Sequence, residues 1–89
     1  MTVHILDNFY SKRVKGQSWV MFSHYNGDVY SSLGCAMKML TEMAKSASAD
    51  PECYDVVFDA NGRNLRYRWK NWYDDEIERI VQIESREVK

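Results

Sequence analysis

The 89-residue chain has one proline, four glycines and two cysteines. So few glycines leave no material for a phosphate-cradling loop, and no G-x-G-x-x-G or Walker pattern occurs. The catalytic signatures G-x-S-x-G and H-E-x-x-H are also missing. The longest apolar run, Trp19-Val20-Met21-Phe22, falls far short of the roughly 20 residues a membrane helix needs. Met1 to Asp7 carries neither a basic stretch nor a long apolar one, so no signal peptide or lipid attachment is expected. A cytoplasmic setting, with both thiols reduced, small and buried, is the corresponding expectation.

Nor is there an excess of charge of either sign. Lys plus Arg number 12 and Asp plus Glu 13, a net charge of −1. A polybasic nucleic-acid binder, whose affinity comes from neutralising phosphates, is excluded, and so is an acidic mimic of DNA. What remains is 45% apolar and 28% charged, the composition of an ordinary folded domain. No repeat, linker or low-complexity tract divides it, so one domain over 1–89 is expected.

Two stretches declare their structure. Leu33, Ala36, Met37, Leu40, Ala44 and Ala47 recur at spacings of three and four, with Lys38, Glu42 and Lys45 opposite. Ser31 or Ser32 is suited to cap this helix, and Pro51 ends it by disfavouring helical geometry at Asp50. Tyr54 to Lys70 folds about Asn61-Gly62, the dipeptide of a two-residue hairpin turn with positive φ at both positions. That register pairs Phe58 with Leu65, Val56 with Tyr67 and Tyr54 with Trp69 on one face. It pairs Asp59 with Asn64, Val57 with Arg66 and Asp55 with Arg68 on the other.

Around these lie less explicit segments. Val3 to Tyr10 reads as a strand, followed by a polar loop over 11–17. Ser18 to Tyr25, apolar on both faces, reads as a central strand turning at Asn26-Gly27 into a short return. Residues 76–88 carry both an acidic start suited to a helix and the β-branched run Ile80-Val81-Gln82-Ile83. The latter favours a strand with Ile77, Val81 and Ile83 on one face, interrupted only by Arg79. The order is β-β-α-β-β-β: an α+β domain, an antiparallel sheet of four to five strands with one helix on one face.

Chemistry has few candidates. His4, His24, Cys35 and Cys53 are isolated from one another by 11 residues or more, unlike the paired ligands of zinc modules. Strand histidines and packing cysteines are the simpler reading, with no metal and no cofactor. Cys35 near a helix start is where a thiol pKa can fall, yet its apolar neighbours favour inert burial. Asp74-Asp75-Glu76 reads as a solvated turn. No catalytic residue is assigned, and an enzyme ranks last among the functional readings.

The unusual segment is 63–73, with four bases and four aromatics in eleven residues. Interleaved cations and rings suit single-stranded nucleic acid, but the register turns Tyr67 and Trp69 inward and sets Arg66 and Arg68 beside acids. Arg, Trp and Tyr are also the residues that dominate protein-binding hot spots. The leading expectation is therefore a non-enzymatic protein-binding module. Its surface would be Arg66, Arg68, Lys70, Trp72 and Tyr73, with the 11–17 loop carrying Lys12, Arg13 and Lys15 as the alternative location. A small RNA-binding domain is the second reading. In general profile, though in no motif, the chain is similar to the small accessory proteins that bacteriophages use to occlude a host factor.

Overall fold

The computed structural model describes residues 1–88. Its elements are β1 (Thr2–Arg13), β2 (Val20–Tyr30), α1 (Leu33–Ala49), β3 (Tyr54–Phe58), β4 (Asn64–Lys70) and β5 (Glu76–Glu87). The strands form one five-stranded antiparallel sheet in the order β2-β1-β5-β4-β3, and α1 packs across one face. This is the expected α+β architecture.

The helix follows its periodicity. Ser32 caps it, with Cys35 N–H donating to Ser32 Oγ at 3.4 Å, and it ends at Asp50 before Pro51. Ala36, Leu40, Ala44 and Ala47 are buried. They pack toward Leu6, Leu65 and Val81, one residue from each of three adjacent strands, to make the core. Small residues on the helix let it sit close to the sheet, and Leu40, Leu65 and Val81 fill the space between at 0–1% exposure. β5 is a strand, with Ile77 and Val81 buried beneath the helix.

Six expectations are corrected. The β3–β4 hairpin closes through the four-residue loop 60–63, with Asp59 N–H donating to Asn64 O at 3.0 Å and Gly62 N–H to Asp59 O at 2.9 Å. Gly62 alone has positive φ there (74°); Asn61 Oδ1 accepts from Arg63 N–H at 3.1 Å, and Asn64 Nδ2 donates to Asp59 Oδ2 at 2.8 Å between the strand ends. The anticipated register holds at Phe58–Leu65 and Val57–Arg66 and then slips by one, so that Tyr54 faces Arg68, not Trp69. A bulge at Asp55, whose φ is +52°, moves Tyr54 to the face away from the helix.

Asn26-Gly27 is not a turn. β2 runs through it, and a Cβ at Gly27 would lie 2.9 Å from Leu6 O and 3.0 Å from Asn8 Nδ2. Glycine is required there by the close approach of β1. Nor is β2 central. β1 and β5 pair along twelve residues and take the middle, leaving β2 at the edge with Val20, Met21, Phe22 and Val29 exposed. Finally, β1 extends through Arg13, shortening the expected 11–17 loop to 14–19, and Cys35 is exposed while Cys53 is half-buried; both are free thiols.

Candidate functional site

The open face of the sheet carries Arg66, Arg68 and Lys70, as the alternation along β4 requires. They stand opposite Ile80, Glu78 and Glu76 of β5. Charge is locally balanced. Arg68 Nε donates to Glu78 Oε2 at 2.9 Å and Nη1 to Asp55 Oδ2 at 3.2 Å, leaving its side chain 21% exposed. Arg13 closes on Glu76, whose other oxygen accepts from Tyr54 Oη at 2.7 Å. These hydrogen bonds, the Tyr54 hydroxyl first, hold the Glu76 carboxyl below the usual range. Burial, then Glu76 itself, pushes the Tyr54 phenol up to about 12. The guanidiniums of Arg13 and Arg68 both lie over the Trp19 ring, at 4.8 and 4.9 Å from its centroid.

Arg66 differs. It is half-buried between Val57 and Ile80 along the ladder, and its Nε is buried without an acceptor. It stands apart from the sheet end, four pairs along the ladder from Lys70.

The remaining two, Trp72 and Tyr73, sit in the β4–β5 loop and are 95% and 81% exposed. The loop itself is tightly built around Asn71. Asn71 Oδ1 accepts from the N–H groups of Tyr73 at 2.9 Å and Asp75 at 3.0 Å. Its own N–H donates to Asp75 O at 2.9 Å, and its carbonyl accepts from Asp74 at 3.1 Å. Asp74 takes φ of +64°, which turns the chain back into β5. Two large rings are thus held out from an ordered turn and left almost wholly exposed among the described residues.

The alternative location proves to be a neighbour. Lys12 pairs with both Val20 and Ile77, and Arg13 with Glu76, so the 14–19 loop and the 71–75 loop share one end of the sheet. Arg13, Lys15, Lys70, Asp74 and Glu76 line a cleft between them. Exposed Val20 and Met21 border the same end. No local pattern signals that these two loops meet, because β1 and β4 are brought together only through β5.

A second constellation was not anticipated. On the helix side of the sheet, Arg79 Nε and Nη2 donate to Asn8 Oδ1 at 3.0 and 2.7 Å, and Nη1 donates to Tyr67 Oη at 2.8 Å. It lies at the wall of a cavity of about 540 Å³ lined also by Met39, Met43, Tyr67 and Trp69. The available signal was its interruption of the apolar face Ile77, Val81, Ile83.

Among the described residues, no group of three or more His, Cys, Asp or Glu is placed to hold a metal, and no helix is long and apolar enough to cross a membrane. No protein-family model, curated protein or solved structure matches the chain. Function is therefore read from the residues of these sites.

Proposed function

We propose that this protein is a non-enzymatic binding module that docks a partner protein on the end of the sheet formed by the 71–75 and 14–19 loops. The carrying observation is the pair Trp72 and Tyr73, 95% and 81% exposed on a turn ordered by Asn71. Folding gains little from rings left in water, whereas a rigidly presented aromatic pair loses little entropy when a partner covers it. Val20 and Met21 are exposed at the same end of the sheet, and Arg66 lies on the open face further along β4. Occlusion of a partner's own surface is the simplest action for such a module.

Nucleic acid is the less favoured partner because three of the cations at this end, Arg13, Arg68 and Lys70, are already paired. Arg13 closes on Glu76, Arg68 on Glu78 and Asp55, and Lys70 on Asp74 at 3.5 Å. Little uncompensated charge is left for phosphates, which supply most affinity for single strands.

The test compares capture from lysate by wild type and by Trp72→Ala and Tyr73→Ala, with and without nuclease, followed by titration with the purified partner. Binding weakened by roughly 30-fold or more at unchanged melting is expected for at least one ring. Nuclease-sensitive capture with a log-linear loss of affinity in salt would replace this reading with the nucleic-acid one.

A further inference from the structure

Away from that surface, and independent of it, Arg79 occupies an anomalous position. Arg13, Arg68 and Arg86 each close on a carboxylate. Arg79 is half-buried on the helix side of the sheet, and among the described residues no carboxylate comes within the 4.0 Å of an ion pair. Its only partners are neutral oxygens: Asn8 Oδ1, which takes two N–H groups, and Tyr67 Oη, which takes one. A guanidinium carries five N–H donors, so two remain. The Tyr10 and Tyr67 rings, with centroids 5.5 and 6.0 Å from its Cζ, fix the plane further. The charge is oriented, and no carboxylate among the described residues closes on it.

The space beside it suits a ligand. The cavity of about 540 Å³ falls in the ordinary size range for small-molecule sites. Tyr67 and Trp69 offer ring faces, and Met39 and Met43 of α1 supply an adaptable apolar wall. A second, smaller cavity also reaches Arg79, Met39 and Met43 from the β1–β2 side. Glu42, Asp50 and Glu52 line the larger cavity as well. They oppose phosphate and other multiply charged anions while tolerating a neutral or cationic far end.

We infer that this cavity binds a small aromatic monocarboxylate, free aromatic amino acids included, with its carboxylate on Arg79 and its ring against Tyr67 and Trp69. A planar fork with two donors to spare matches a carboxylate, and a partly enclosed site strengthens that pairing.

The test is NMR titration of the full chain with phenylacetate, phenylalanine, phenethylamine and inorganic phosphate, following the Arg79 Nε–H and Trp69 indole resonances. Phenylacetate and phenylalanine should shift both saturably, and phenethylamine and phosphate should not. Arg79→Lys, which keeps the charge and loses the fork, should weaken phenylacetate at least about 10-fold. Should that variant unfold, Met39→Trp decides. Met39 is 40% exposed and lines both cavities, so the larger side chain should block entry and abolish the shifts with the fold intact. Absence of saturable shifts up to about 10 mM phenylacetate would overturn the inference. So would phenethylamine or phosphate binding as well as phenylacetate, or Met39→Trp binding like wild type.

Discussion

Tyr67 and Arg68 are neighbours in β4, yet they belong to two differently built surfaces. Tyr67 faces α1 and packs against a core of Leu6, Leu40, Leu65 and Val81. Arg68 faces away, ion-paired with Glu78 and Asp55 and sharing the Trp19 ring with Arg13. One face is held by burial under a helix. The other has no covering layer and covers its own apolar strips with long side chains laid across them. The same sheet therefore contains a region where volume matters most and one where partner geometry matters most.

The covered face is most sensitive at Leu40. Leu40→Ala empties a fully buried site, and urea titration should show a loss of about 2–5 kcal/mol. A loss below about 0.5 kcal/mol would mean that the helix does not carry this face. On the open side Arg68→Ala should cost about 1–3 kcal/mol, since it strands Glu78, itself only 13% exposed. Arg68 thus contributes to folding more than its outward register suggests, and Glu78→Gln should recover part of the loss in the Arg68→Ala background.

A smaller effect with a definite sign belongs to Asp7. Burial, then the neighbouring Glu84 carboxyl, pushes its carboxyl above the ordinary value, and Oδ1 has no hydrogen-bond partner. A raised folded pKa means that the contribution to stability is full below the ordinary carboxylate pKa. It is lost as pH rises through the elevated folded value. Asp7→Asn should accordingly raise the melting temperature at pH 7, by the equivalent of about 0.5–1 kcal/mol, with the gain fading toward pH 3. An equal gain at both pH values would locate the effect in packing, not in charge. The smallest expected change in stability is at the sheet end: Trp72→Ala should stay within about 0.5 kcal/mol of wild type in melting while weakening partner binding. A larger loss would show that the ring contributes to folding.

Much of the covered face was legible in the chain. The helix emerged because its apolar spacing, its serine cap and Pro51 all agree, and β5 because β-branched residues outvoted an acidic start. The hairpin register near Phe58 followed from matching apolar and charged pairs. The slip at Asp55 did not, since a bulge depends on what Tyr54 finds across the sheet, and it finds Glu76. Asn26-Gly27 misled for a related reason. The dipeptide that favours a turn also supplies the missing side chain where Leu6 O approaches, and only the neighbouring strand distinguishes the two uses. Of the candidate site, the exposure of Trp72 and Tyr73 beyond the hairpin was readable, whereas the pairing of Arg68 and the burial of Arg66 Nε were not.

By itself the sequence determined the element order, the helix with both its ends, and which residues of β4 share a face. These follow from periodicity, capping and alternation, all interactions reaching only a few residues along the chain. Tertiary structure alone decided that β1 and β5 take the centre, that β2 becomes an edge, and that two loops meet at one end of the sheet. It alone left Arg79 beside a cavity without a carboxylate. Those outcomes depend on pairings such as Asn8 with Arg79, 71 residues apart, whose energies come from geometry that no local pattern encodes.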